Sequence, residues 1–100
     1  MCAVETKIEP ETMQKAATIL KTLGHPVRIA IIEALEDGEM NVSEIQDEIG
    51  ESQAITSQHL RLMESRDIVI SRRQGVQVFY RLRDEFITKI LGCIRSCGLS

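Results

Sequence analysis

Aromatic side chains are scarce in this sequence, which has two phenylalanines and one tyrosine in 100 residues. Proteins that bind single-stranded nucleic acid commonly stack bases on aromatic rings, and the sequence therefore disfavours that class. Long apolar runs are also missing. The longest, residues 29–32, is far shorter than the roughly 20 residues that a membrane-spanning helix needs. Because no basic-then-apolar leader precedes the rest of the chain, we expect neither a membrane protein nor a secreted one.

Disulfide and catalytic patterns are absent as well. The three cysteines are an odd number and are not spaced as a disulfide framework, which predicts a reducing cytosol. There is no glycine-rich phosphate loop, paired-histidine metal motif or nucleophile elbow. We expect His25 to cap a helix and His59 to pack or to bond locally. The sequence therefore predicts a cytoplasmic protein that is not an enzyme.

Residues 41–64 predict two short helices joined by a tight turn. Asn41 and Glu44 have the spacing of a capping box at the start of the first helix. Gly50 can end this helix because glycine tolerates the left-handed conformation, and Ser52 is a suitable N-cap for the second. Two helices joined in this way match the helix-turn-helix plan, in which the second helix lies in the major groove of DNA.

The second of these helices has a polar side suited to DNA. Glutamine can bond adenine and arginine can bond guanine through two hydrogen bonds each, while serine and threonine can bond bases or phosphates. We predict base contacts from Gln53, Ser57 and Gln58, with support from Ser52, Thr56 and Arg61. The apolar side is expected to consist of Ile55, Leu62 and Met63. The alternative is an amphipathic helical hairpin whose polar face only meets water.

The distribution of charge favours DNA more than the net charge of −3 does. Residues 26–50 contain one basic and seven acidic side chains, whereas residues 51–83 contain six arginines and three acidic side chains. The positive half includes the predicted recognition helix. Because the local field governs association with DNA, this half is the expected contact surface.

A β-hairpin is predicted directly after the helix-turn-helix. Residues 68–71 and 77–82 are rich in β-branched and aromatic side chains, and residues 72–76 form a basic tip between them. A hairpin in this position is a wing, and we expect Arg72 and Arg73 to bind phosphates, which positions a protein without recognising sequence. The alternative is a solvated hairpin with no ligand.

The remaining helices complete a single domain of residues 1–100. One helix follows an N-terminal arm, residues 1–9, another runs over about 26–37, and the last covers 84–97. The last helix has more apolar surface than a small domain can cover, which predicts pairing with a second copy. The predicted fold is a mainly α winged helix-turn-helix of order α-α-α-α-β-β-α that dimerises through its terminal helices. A twofold dimer would meet successive major grooves, about 34–36 Å apart, on a roughly palindromic double-stranded operator.

Three motifs in this order resemble the ArsR/SmtB family of winged-helix repressors. They are LGHPVRI at 23–29, SQ at 52–53 with TSQHL at 56–60, and VFYRL at 78–82. The resemblance covers about residues 16–97. It implies a cytoplasmic homodimer that occupies an operator and leaves it when an inducer binds. In this family the inducer is commonly a metal or metalloid ion, and in some members an oxidant or a reactive sulfur species.

The effector sites that the resemblance implies are only partly matched. Many arsenic and cadmium sensors have a cysteine pair in the helix before the turn, but residues 41–45 contain no thiol. Zinc sensors of this family have aspartate and histidine ligands in the terminal helix. Here Asp84 fits the first position, whereas Phe86 and Cys97 stand where histidines are expected.

Cys93 and Cys97 are therefore the predicted sensor, with Cys2 as a third thiol. One helical turn separates their β-carbons by about 6 Å, more than the roughly 3.5–4.5 Å of a disulfide. Two thiolates can instead share As(III), Cd(II) or Cu(I), with Cys2 of either copy completing the site. The alternatives are a thiol switch that senses oxidants or reactive sulfur, and simple packing. Two further alternatives for the whole chain are a winged-helix protein-interaction module and a thiol metal carrier without a regulatory role.

Overall fold

The computed structural model describes residues 7–98, which form five helices and a small antiparallel sheet. The helices are α1 (Pro10–Thr22), α2 (Pro26–Ala34), α3 (Val42–Ile49), α4 (Gln53–Ser65) and α5 (Phe86–Ser96). The strands are β1 (Met40–Asn41), β2 (Val69–Gln74) and β3 (Gln77–Leu82). The predicted winged helix-turn-helix fold is confirmed. Cys2 and most of the predicted N-terminal arm, residues 1–9, lie outside the described residues.

Capping contacts fix the ends of the helix-turn-helix. Asn41 Oδ1 accepts from Glu44 N at 2.8 Å, and Glu44 Oε1 accepts from Asn41 N at 2.9 Å, which is the predicted capping box. Gly50 follows α3 with a φ of 71°, a left-handed conformation that glycine adopts without strain. Ser52 Oγ accepts from Ile55 N at 3.2 Å and begins α4. Local chemistry therefore determines where α3 ends and α4 begins.

The sheet has one strand more than the sequence predicts. Its order is β1-β3-β2, and both pairs are antiparallel. Strand β1 pairs Met40 with Tyr80 and Asn41 with Phe79. A strand of two residues has no alternating pattern, and it forms because the edge of β3 supplies backbone hydrogen-bonding partners. Since β1 leads directly into α3, it fastens the start of the helix-turn-helix to the hairpin.

The hairpin is longer than predicted, and its arginines are not at its tip. Strand β2 continues through Gln74, and the turn consists of Gly75, with a φ of 63°, and Val76. Arg72 and Arg73 lie within β2, opposite Phe79 and Val78. The tip was predicted over residues 72–76, but the pairing of Arg72, Arg73 and Gln74 with β3 keeps these residues extended.

The core lies where α2, α3 and α4 meet the sheet and α5. Its buried apolar members are Leu23, Ile31, Ile32, Leu35, Ile45, Leu60, Met63, Ile68, Val69, Tyr80, Ile87 and Leu91. Complete burial of one such leucine or isoleucine contributes about 1.5–3 kcal/mol. These contacts hold α4 with one side against the protein and the other towards solvent.

The two terminal helices leave apolar side chains uncovered. In α1, Met13 and Leu20 are 55% and 61% exposed, and only the C-terminal end of this helix is buried. In α5, Phe86 is 44% exposed, and Cys93 and Cys97 are also on the surface. No helix within residues 7–98 is long and apolar enough to cross a bilayer.

Candidate nucleic-acid interface

The outer side of α4 presents polar side chains to solvent. Gln53, Gln58 and Arg61 are exposed, and Ser57 is half-buried. Ser57, Gln58 and Arg61 fall within about 100° of one another around the helix axis, away from the buried Thr56 and Met63. Gln53 is exposed because it is the first residue of α4. Arg61 Nε lies 3.5 Å from the carbonyl oxygen of Ser57, to which it donates, and the guanidinium therefore follows the same face. Side chains of these types can bond the edges of bases.

Two predictions about α4 are wrong. Thr56 is completely buried and its Oγ1 donates to the Ser52 carbonyl at 2.8 Å, which leaves it unable to reach DNA. Ile55, predicted on the apolar side, is 40% exposed. Consecutive helical side chains differ by about 100° around the axis, and a threonine can replace an apolar residue inside when its hydroxyl bonds the preceding turn. Ser52 remains exposed as the N-cap, and its hydroxyl can still donate.

Arg72 is occupied by contacts within the protein. Its Nε and Nη2 donate to the two carboxylate oxygens of Glu39 at 2.7 and 2.6 Å, and its Nη1 donates to Gln74 Oε1 at 2.9 Å. Its Cζ lies 4.8 Å from the ring centroid of Phe79. The hydrogen bonds from Arg72 lower the pKa of Glu39 below its ordinary value. A phosphate would have to compete with this carboxylate, and no local sequence pattern predicts that contact.

Arg73 points to the opposite side of the hairpin. Side chains alternate along a strand, and Arg73 therefore shares its side with Ser71. Ser71 Oγ donates to Glu64 Oε2 of α4 at 2.7 Å, which shows that this side faces the recognition helix. Within residues 7–98 Arg73 forms no ion pair. The structure thus brings the outer side of α4 and one of the two predicted wing arginines towards the same surface.

The six arginines of residues 51–83 are used in different ways. Arg72 and Arg83 form ion pairs, and Arg66 bonds a threonine hydroxyl. The arginines with neither an ion pair nor a tertiary hydrogen bond among the described residues are Arg61, Arg73 and Arg81. Two of these three belong to the surface formed by α4 and the hairpin, and positive charge therefore remains available there.

Cys93 and Cys97 are exposed on α5 and at its C-cap. Cys97 Sγ lies 3.4 Å from the carbonyl oxygen of Ile94, to which it donates. Between the two cysteines, Arg95 Nη2 donates to Glu36 Oε1, in the turn after α2, at 2.6 Å. Within residues 7–98 no three His, Cys, Asp or Glu side chains gather as a metal site would require. The described donors are therefore two thiols, and a third ligand would have to come from elsewhere.

Known proteins are similar to this chain in sequence and in structure. A profile described as bacterial regulatory protein, arsR family, matches residues 25–71. The biofilm growth-associated repressor of Xylella fastidiosa is 36% identical over 88 residues, which are 84% of this chain and 77% of that protein. The chain belongs to the arsR family of bacterial regulatory proteins.

A further relative and a solved structure are also similar to this chain. The HTH-type transcriptional repressor SmtB of Mycobacterium tuberculosis is 35% identical over 81 residues, which are 81% of this chain and 60% of that protein. The crystal structure of the transcriptional repressor BigR from Xylella fastidiosa superposes with a TM-score of 0.80 at 33% identity, over 93% of this chain and 99% of that one. Membership of the arsR family confirms the resemblance seen in the sequence. It also makes this chain a DNA-binding transcriptional regulator and not an enzyme.

Two histidines of this arsR-family chain meet beside α4, with ring centroids 4.5 Å apart. His25 Nδ1 accepts from Val27 N at 3.1 Å, which confirms its predicted capping role. The half-buried His59 packs against His25, as one of its two predicted alternatives requires, and its Nδ1 accepts from Arg28 Nε, 31 residues away, at 3.2 Å. Because both Nδ1 atoms accept, each Nε2 carries the hydrogen and neither ring has a lone pair for a metal. Because Arg28 and His59 are far apart in the sequence, no local pattern predicts their contact.

Proposed function

We propose that this arsR-family protein is a cytoplasmic, homodimeric repressor that binds a roughly palindromic operator in double-stranded DNA. An effector acting at Cys93 and Cys97 releases it. The observation that carries DNA binding is the shared surface of Gln53 and Gln58 on α4 with Arg73 on the α4 side of the hairpin. The amides supply base contacts and the guanidinium supplies a phosphate contact.

A gel shift tests this directly. The purified protein should retard the DNA upstream of its own gene. Its affinity for this duplex should be higher than for a scrambled duplex of equal length. Equal affinity for the two duplexes would contradict operator binding. It would favour a module that binds another protein, or a thiol metal carrier with no regulatory role.

The homodimer rests on the apolar surface of α1 and α5. Nine of the 13 residues of α1 are exposed, and a single helix of this length has little stability in water without packing. The exposed Met13 and Leu20 of α1, together with Phe86 of α5, supply apolar area for a second copy to cover. A twofold axis through these helices would present both copies of α4 to successive major grooves, about 34–36 Å apart.

The two wing arginines should differ in the salt dependence of binding. For Arg73→Ala we expect weaker binding to all duplexes alike and a slope of log affinity against log salt that is lower by about one unit per protomer. For Arg72→Ala the slope should hardly change, because Glu39 already neutralises this guanidinium. The measurement is a salt titration of both variants on specific and scrambled DNA. A change of base preference in Arg73→Ala, or equal slopes in both variants, would contradict these roles.

Release by an effector rests on the position of the two thiols. Cys93 and Cys97 are solvent-accessible, one turn apart, and in line with Phe86 on the apolar side of α5. An As(III), Cd(II) or Cu(I) ion held by both thiolates, and by a third thiol from Cys2 of either copy, would therefore lie beside the proposed dimer interface. Oxidation by peroxide or reaction with polysulfide would change the same surface. Either event would alter the spacing of the two recognition helices.

A panel of effectors identifies the inducer. Operator affinity is measured with As(III), Cd(II), Cu(I), Zn(II), peroxide and polysulfide, in wild type and in Cys93→Ser. We expect one of them to weaken wild-type binding by about 5- to 150-fold, the usual range of allosteric coupling, and to leave Cys93→Ser unaffected. Cys2→Ser is the control that separates a two-thiol site from a three-thiol site. If no effector changed wild-type affinity, the cysteines would only pack in the dimer interface.

A further inference from the structure

The recognition helix is tied to the end of α1 by two arginines. Arg28 of α2 donates from Nε to His59 Nδ1 and from Nη1 to the Thr22 carbonyl, both at 3.2 Å. Arg66, at the C-cap of α4, donates to Thr22 Oγ1 at 3.2 Å. Thr22 is completely buried and is the last residue of α1. Two separate contacts therefore join α4 to the helix on which the proposed dimer depends.

The Arg28 contact falls next to the proposed DNA-binding residues. His59 directly follows Ser57 and Gln58, and its half-buried ring turns inward while Gln58 turns outward. A change in the position of this ring must rotate or shift the same turn of α4. Because base contacts need hydrogen-bonding geometry within a few tenths of an ångström, a small rotation is enough to weaken them.

We propose that Arg28 and His59 are positioning residues that set the angle of α4 against the end of α1, and that operator binding requires the neutral form of His59. The inference rests on the proposed operator binding. It adds that operator affinity depends on the protonation of His59. This dependence arises from the position of α4 and requires no contact between His59 and DNA.

Protonation reverses the contact between the two side chains. The neutral ring offers the Nδ1 lone pair to Arg28 Nε–H, whereas the protonated ring has a hydrogen on Nδ1 and two donors then face each other. The charged and titratable groups around His59 are Arg28 from α2, His25 from the α1–α2 turn and Glu51 from the α3–α4 turn. Burial lowers the pKa of His59, His25 and Arg28 lower it further, and Glu51 raises it. The surroundings thus favour the neutral ring.

The sign of the expected pH dependence is unusual for a DNA-binding protein. Acidification ordinarily adds positive charge and strengthens binding to phosphates. Here protonation of His59 breaks the Arg28 contact, and affinity should therefore fall as the pH falls through the pKa of this histidine. Because the pKa of His59 lies below its ordinary value, we expect wild-type affinity for the DNA upstream of its own gene to fall by less than tenfold per protomer between pH 7.5 and pH 5.5. Below the pKa of the ring, the fall should approach about tenfold per pH unit.

Three variants isolate the contact. In His59→Asn the amide oxygen can replace Nδ1 as the acceptor without titrating, and the loss of affinity at pH 5.5 should disappear. In His59→Lys a permanent cation replaces the protonated ring, and affinity at pH 7.5 should fall to the level of wild type at pH 5.5 or below it. Arg66→Ala removes the neighbouring contact to Thr22 but not the one to His59, and it should keep the wild-type pH profile. Circular dichroism at each pH checks that all proteins remain folded.

A second measurement does not depend on DNA. Nitrogen-15 shifts of the imidazole should show His59 with its hydrogen on Nε2 at pH 7.5, and Arg28→Ala should change the pH at which the ring titrates. Specific binding that stays constant or strengthens on acidification, or a His59→Asn profile equal to that of wild type, would overturn the proposal. Failure to prefer the upstream DNA at every pH would instead contradict operator binding itself.

Discussion

Replacement of Ser57 by glutamate is expected to abolish specific DNA binding, with a loss of affinity of about 100-fold or more. Ser57 is half-buried on the outer side of α4, between the exposed Gln53 and Arg61. A carboxylate there would face phosphates and the acceptor edges of bases, and like charges brought together at an interface cost several kcal/mol. Each 1.4 kcal/mol is a factor of ten in affinity. Fluorescence anisotropy with the upstream duplex measures the change.

The matched control is Ser65→Glu, which makes the same substitution on the same helix. Ser65 is exposed in the last turn of α4, where its Oγ donates to the Leu62 carbonyl at 2.6 Å. The control has the same net charge as Ser57→Glu, and its affinity should remain within a few-fold of wild type. Equal losses in both variants would point to net charge alone. No loss in Ser57→Glu would mean that α4 does not enter the groove.

The double substitution Leu20→Glu with Phe86→Glu is expected to convert the protein to a monomer. These side chains are 61% and 44% exposed on α1 and α5. Burying a carboxylate without a partner is strongly unfavourable, and the twofold axis would bring two copies of each charge into one interface. Sedimentation velocity should therefore give a single species of monomer mass. Affinity for a palindromic duplex should fall by about 10²- to 10⁴-fold, the gain that linking two binding units provides.

A second double variant controls for charge and for loss of apolar surface. Ile55→Glu with Val76→Glu likewise replaces two exposed apolar side chains by glutamate. These side chains are 40% and 95% exposed, on α4 and at the hairpin turn. It should sediment as a dimer. If Leu20→Glu with Phe86→Glu also remained dimeric, another surface would join the two copies. A strictly monomeric wild type would end the proposal of a dimeric repressor.

The parts of the fold that were predicted correctly depend on short-range chemistry. The capping box of Asn41 and Glu44, the left-handed Gly50 and the N-cap Ser52 each involve residues within a few positions of one another. Such interactions are nearly independent of the rest of the chain, and the sequence therefore specifies them. The position of α4 and its polar side follow from them.

The errors depend on packing between distant segments. Thr56 is inside and Ile55 is partly outside because the core fixes the rotation of α4, and a periodic pattern leaves that rotation uncertain by about one residue. The prediction that Arg72 binds phosphate stays a prediction, but the β1–β3 pairing brings a competing carboxylate, Glu39, within 2.6 Å of its guanidinium, and no sequence pattern predicts this contact. Neither outcome has a signal in the neighbouring sequence.

The sequence by itself determined the order of the five helices and the hairpin, the family and the polar side of α4, because periodicity, capping and turn residues act over a few positions. Only the tertiary structure decided which polar side chains remain available there. Burial removed Thr56 and an ion pair engaged Arg72, while α2 brought Arg28 to His59. These contacts join residues that the chain itself keeps far apart. Their existence depends on how the helices and the sheet pack together, and no local pattern encodes it.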